Sequence, residues 1–172
     1  MHIAPLTSEH AMAYKALMLH AYEQAADSFT STLQERALHP DSWWCNRIAD
    51  LAGLSVVWGA FAGQALVGTV SLEFSAKTRH KALVVAMFVH ENFRGHGLAR
   101  QLMQAAVAYG MGRQGLRVLQ LEVTQGNAAA EQLYQSLGFQ PYGVEPMAVW
   151  TANGFKSKVH MWLDLALAEN QS

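Results

Sequence analysis

Arg94, Gly95, His96 and Gly97 stand together in the run ENFRGHGLAR, residues 91 to 100. Glycines one residue apart let a chain bend sharply and let its amides approach a ligand closely. A helical pattern begins at about Gly97, and the first amides of a helix have no partner within it. Those donors, the positive end of the helix dipole and the fixed charge of Arg94 suit a phosphate or pyrophosphate. A turn made of glycines for geometry alone is the competing reading. Two phosphate loops are excluded. No Gly-Lys-Ser/Thr follows, as a Walker A loop requires, and Arg100 stands where a dinucleotide loop needs its third glycine.

Other side chains offer proton chemistry. Tyr134 carries a phenol with an ordinary pKa of about 10, so it keeps its proton at neutral pH and can donate a hydrogen bond. It also lies on a helical inner stripe, where a core tyrosine would sit. Glu73 and Glu122 occupy alternating positions on expected strands, and either could accept a proton or serve as a solvated or salt-bridged sheet glutamate. The eight histidines show no H-x-x-x-H spacing, and Cys45 is the single cysteine, so no metal site is expected. Cys45 sits in SWWCNR with no local base and reads as a buried, inert thiol.

The elements that must position these groups follow from periodicity. HIAPL is a short first strand. Thr7 or Ser8 then caps a helix with Met12, Ala16, Leu19 and Ala21 on one face. Residues 28 to 50 hold one or two short helices broken at Pro40, with Asp41 or Ser42 as a cap. Two β-rich runs around AGQ form a hairpin. KALVVAMFV is apolar at nearly every position, as expected of a central strand covered on both faces. A helix over 97–113 turns Leu98, Leu102, Ala105, Ala106 and Tyr109 inward. After the strand LRVLQLEVT, Asn127 caps a helix with inner residues Ala130, Leu133, Tyr134 and Leu137, ended by Gly138. Strands over about 139–150 and 155–165 meet at an Asn-Gly turn. This order predicts a mixed α/β sheet with the glycine turn near its middle.

Composition sets the outer bounds. The chain has 172 residues, 51% of them apolar and 15% charged, enough for one folded domain with a sizeable core. A net charge of -1 argues against a basic nucleic-acid surface. One cysteine permits no internal disulfide, which fits a reducing compartment. The N-terminus lacks the pattern of a signal peptide, and the apolar run Ala82 to Val89 is too short to span a bilayer. A cytoplasmic protein with no nucleic-acid or membrane partner is expected.

Arg94-x-x-Gly97-x-Ala99, after a strand ending MFV and before an amphipathic helix, resembles the pyrophosphate loop of the GNAT superfamily of acetyl-CoA-dependent N-acetyltransferases. LEVTQGNAAAEQLYQSLGF is similar to that superfamily's next signature, with Asn127, Ala130, Leu133, Tyr134, Gly138 and Phe139 in place. The two blocks cover about residues 82 to 140. One departure is Glu91, where the family often has proline.

The resemblance implies a single N-acetyltransferase domain over 1–172, with a splayed sheet of about seven strands flanked by about four helices. It implies acetyl-CoA as co-substrate and direct transfer to a primary amine of a small molecule or peptide N-terminus. Gly95, His96, Gly97, Leu98 and Ala99 would hold the pyrophosphate with Arg94. The backbone at Phe88 and Val89 would pair with the pantetheine arm and polarise the thioester carbonyl. Tyr134 is the candidate acid toward the leaving sulfur. Asn127 contacts the cofactor arm, caps its helix, or does both. By position, Phe29, Thr30 and Glu35 would cover the acceptor. The late run GVEPMAVW is an acceptor wall or an edge for a homodimer. A non-catalytic acyl-CoA sensor keeps the same loop and is the rival function.

Overall fold

The computed structural model describes residues 1–49 and 52–168. The chain opens with strand β1 (His2–Pro5), helix α1 (Ala11–Gln24) and the short helices α2 (Leu33–Ala37) and α3 (Asp41–Ile48). Strands β2 (Ser55–Ala62), β3 (Ala65–Phe74) and β4 (Lys81–Val89) follow. Then come α4 (Leu98–Gly112), β5 (Val118–Thr124), α5 (Ala128–Ser136), β6 (Gln140–Thr151), β7 (Gly154–Asp164) and α6 (Leu165–Ala168). The seven strands form one sheet in the order β1-β2-β3-β4-β5-β7-β6. The seven-strand mixed sheet is as expected. Six α-helices are described where about four were expected, because α2 and α6 are too short to leave a periodic signature.

The sheet is antiparallel except at its centre. β4 and β5 run parallel and pair only from Lys81–Leu83 with Val118–Gln120. Beyond that register they separate, which is the expected splay. β4 also carries a bulge. Ser71 faces Val85 and Thr69 faces Phe88, so β4 spends one residue more than β3 over the interval. Ala86 absorbs it with a φ of 53°, a left-handed conformation costly for a residue with a Cβ.

Helices cover the two faces unequally. On one face, Leu98, Leu102, Met103 and Ala106 of α4 pack with Val70, Leu72, Val84 and Leu119, and Tyr134 of α5 joins the same cluster. Each large side chain so buried contributes about 1.5–3 kcal/mol. On the other face, Tyr14, Met18 and Tyr22 of α1 and Trp44 and Ile48 of α3 pack on Val57 and Phe61. Over β5 and β6 this second face meets the 3-10 turn Ala26–Ser28, where Thr124 Oγ1 donates to the Asp27 carbonyl at 2.7 Å.

Three expectations are corrected. α1 buries Ala11, Tyr14, Leu17, Met18, Ala21 and Tyr22, so of the expected face only Ala21 is buried, and Met12 is exposed. Apolar residues are spread round the helix with little sidedness, and the aromatic rings select the face. Tyr109 is partly exposed, with its ring on Trp58 at 5.2 Å. Pro40, rather than Asp41 or Ser42, occupies the cap position of α3.

Candidate active site

The split between β4 and β5 opens a cleft of about 390 Å³. Phe88, Val89, Arg94, Ala99, Glu122, Asn127, Tyr134 and Phe29 all line it, together with Met87 and Thr124. Because the sheet is parted here, groups from both faces reach one space. Tyr134 comes from α5 on the α4 face, and Glu122 comes from the open face of β5.

At one end lies the glycine turn. Gly95 and Gly97 adopt φ of 80° and 74°, where only glycine is unstrained. A Cβ on Gly95 would meet nothing within 4 Å, and one on Gly97 only Gln101 Nε2 at 3.8 Å. Conformation and open space above the turn, rather than crowding, therefore account for these glycines. The first helical bond of α4 is Gln101 N–H to the Gly97 carbonyl, 3.0 Å, so the amides of Leu98, Ala99 and Arg100 precede it. No side chain caps this helix. The turn is braced from below: Arg94 Nε donates to the Val89 carbonyl at 3.1 Å, and His96 Nδ1 lies 3.0 Å from the Arg94 carbonyl. Glu91 ties the loop to α1, its carboxylate 3.0 Å from His20 Nε2. That hydrogen bond holds the Glu91 carboxyl below its usual range.

Along the cleft, β4 offers backbone. Past Leu83 it has no β5 partner, and at Ala86 and Met87 the bulge removes them from the register with β3 as well. An extended arm can add to such an edge as a strand would. Below it, the Tyr134 phenol is buried, and burial pushes it up to about 12. Asn127 caps α5, its Oδ1 accepting from Ala130 N–H at 3.3 Å, while also lining the cleft. A free strand edge leading from an amide-rich, uncapped helix start to a protonated phenol fits a long phosphate-bearing thioester such as acetyl-CoA.

The remaining predicted residues lie elsewhere. Glu73 is not among the cleft-lining residues; it bonds Arg47 Nη2 at 3.0 Å. Glu35 completes the capping box of α2, taking the Thr32 N–H at 2.7 Å, and Thr30 is exposed before that helix. Neither lines the cleft. The bulge residues Ala86 and Met87, and Thr124, Lys158 and His160 near Glu122, were not singled out from sequence. Ala86 gives no signal, since a bulge depends on register. The alternation of Lys158 and His160 along the last strand was a usable one.

An α/β protein with a split parallel pair and an anion-binding turn at the open end of its central strand is built to hold a phosphate-bearing cofactor through the sheet. The class has a family. Residues 18–139 match the acetyltransferase (GNAT) family, and the chain belongs to that family. Over 84 residues the chain is 33% identical to the L-methionine sulfoximine/L-methionine sulfone acetyltransferase of Pseudomonas aeruginosa. The match takes in 49% of this chain and 44% of the relative, so the chain spans less than half the length of that curated relative. Among solved structures, yncA of Salmonella typhimurium with its cofactor acetyl-CoA superposes with a TM-score of 0.79 at 22% identity over 96% of this chain and 94% of that one. A ribosomal-protein-alanine N-acetyltransferase from Brucella melitensis gives 0.77 at 22% identity over 95% and 99%. At these identities the likeness is one of fold. No described helix is long and apolar enough to cross a membrane.

Proposed function

We propose that residues 1–172 form one N-acetyltransferase domain that moves the acetyl group of acetyl-CoA directly to a primary amine. The observation that carries this is the free edge of β4, which runs between the glycine turn and Tyr134. Acetyl-CoA, when bound, supplies the acetyl group as an activated thioester. The amides of Gly95 to Ala99 and Arg94 hold its pyrophosphate. The backbone at the bulge and at Phe88 and Val89 pairs with the pantetheine arm, and an amide there polarises the reacting carbonyl. Glu122 takes the proton of the acceptor ammonium, leaving an amine with a free lone pair. Tyr134 donates a hydrogen bond to the sulfur as negative charge develops on it. Full proton transfer from a phenol at about 12 to a thiolate near 8.5 runs uphill by about 5 kcal/mol. Tyr134 therefore stabilises the leaving group and water completes its protonation.

The acceptor is a small amine, and the amino acids named for the curated relative head the panel, with peptide N-termini beside them. A cytoplasmic location and a homodimer along the exposed strand β6 belong to the same reading. The test is thiol release from acetyl-CoA against this panel. Amine-dependent release supports the proposal. Acetyl-CoA binding with no release on any amine favours the sensor.

A further inference from the structure

Glu122 is not isolated on its strand. On the face of the sheet opposite α4, Glu122 of β5 stands directly across from His160 of β7. One rung along, Thr124, Lys158 and Glu145 stand side by side on β5, β7 and β6. Cross-strand neighbours of this kind have their side chains in reach of one another. Lys158 is buried, and its Nζ lies 3.2 Å from Glu122 Oε2. That contact holds one carboxylate oxygen and leaves the other, Oε1, toward His160 Nδ1 at 3.7 Å. The far nitrogen of the ring, Nε2, lies 3.3 Å from Glu145 Oε2. Glu145 is half-exposed, whereas the imidazole keeps 24% of its surface. The groups against His160 are thus Glu122, Glu145 and the Tyr142 ring at 5.9 Å, with Lys158 on the other oxygen of Glu122.

We propose that His160 is a positioning and relay residue that carries the proton collected by Glu122 to Glu145 and out to water. The inference rests on Glu122 as the base of the proposed acetyl transfer. Glu122 lines the cleft and keeps 36% of its side chain exposed in the free chain; with cofactor and acceptor in the cleft, its proton leaves through the polar neighbours on its own face of the sheet. The Glu145 contact selects the tautomer with hydrogen on Nε2, which leaves the Nδ1 lone pair for Glu122. The proton balance closes. An N–H bond of the acceptor ammonium breaks and an O–H bond forms on Glu122 Oε1. That O–H breaks as Nδ1–H forms on His160. Nε2–H then breaks as O–H forms on Glu145 Oε2, which gives its proton to water. No electrons change hands, and the ring resets its tautomer through water. The 3.7 Å gap closes to a hydrogen bond by a side-chain shift of about 0.7 Å.

The test compares wild type, Glu122→Gln, His160→Ala, His160→Gln and Glu145→Gln. The readouts are kcat in dilute buffer, the acetyl-CoA Kd by calorimetry, and kcat with added imidazole. His160→Ala should lower kcat by about tenfold or more with an unchanged Kd, and imidazole should restore most of the loss. His160→Gln keeps hydrogen bonds but carries no proton, so it should be as slow as His160→Ala. If His160→Ala folds poorly, Glu145→Gln carries the test through a smaller, buffer-dependent fall in kcat. A His160→Ala kcat within about twofold of wild type overturns the relay. So does a loss that imidazole leaves in place and His160→Gln repairs, since that is a structural role. A wild-type kcat in Glu122→Gln overturns the base and the relay together, and a wild type that acetylates no amine overturns the functional reading beneath both.

Discussion

Replacing Tyr134 by Phe tests two separate properties of one hydroxyl. The ring packs edge-on against Phe139 at 6.1 Å, and Phe keeps that contact, so stability at neutral pH should change by less than about 1 kcal/mol. At alkaline pH the two proteins should part. Burial holds the Tyr134 phenol at about 12, against about 10 in an unfolded chain. Between those values the unfolded chain has lost the proton and the folded chain keeps it, so stability falls as pH rises. The loss reaches up to about 2.7 kcal/mol above pH 12. Tyr134→Phe should lack that share of the loss. A residue of alkaline sensitivity stays in the variant, because burial also raises the Tyr22 phenol. In turnover, losing the hydrogen bond to the leaving sulfur should cost about 10- to 100-fold in kcat, with acetyl-CoA affinity unchanged. The assays are urea unfolding across pH and thiol release under chemistry-limited conditions. Equal alkaline unfolding curves would refute the buried phenol, and a kcat within about twofold of wild type would refute its role toward sulfur.

Three further substitutions probe the scaffold. Gly97→Trp places an indole in the open space above the turn, and should weaken acetyl-CoA binding by about 100-fold or more in calorimetry. Its fold should hold, at a strain cost of about 1–2 kcal/mol for the left-handed backbone. Ala86→Val puts a β-branched residue at φ 53°, so it should cost about 1–3 kcal/mol and lower kcat by disturbing the bulge; a kcat equal to wild type would separate the bulge from catalysis. Glu73→Gln breaks only a partly exposed pair with Arg47, and should shift stability by less than about 1 kcal/mol with kcat unchanged; a large fall in turnover would return Glu73 to the chemistry.

The order of elements was legible because each had a local signal. The apolar run Ala82 to Val89 gave the central strand, Asn127 and Gly138 bracketed α5, and the Asn-Gly pair gave the last hairpin. The face of α1 was not legible. Its apolar residues are spread round the helix, and packing of Tyr14 and Tyr22 against α3 and Phe29 decides which side is buried. Within the site, the glycine turn stood out because Arg94 and Gly97 come with a second block, Asn127 to Phe139, at the expected distance. Tyr134, Asn127 and Glu122 meet in the cleft, but Glu73 does not, and alternation on a strand could not separate the two glutamates. What distinguishes them is strand order: β7 enters between β5 and β6, bringing Lys158 and His160 beside Glu122, while Glu73 finds Arg47 of α3. The bulge at Ala86 belongs to the pairing of β3 with β4, and a single strand's sequence does not encode it.

The most direct test of the account is calorimetric titration of the full chain with acetyl-CoA, with ATP and NAD as controls, followed by thiol release in the same samples on adding the amine panel. The account predicts saturable binding of acetyl-CoA in preference to both controls and release that depends on an amine. Absence of acetyl-CoA binding would contradict it, leaving the turn at Arg94 to Gly97 as geometry alone.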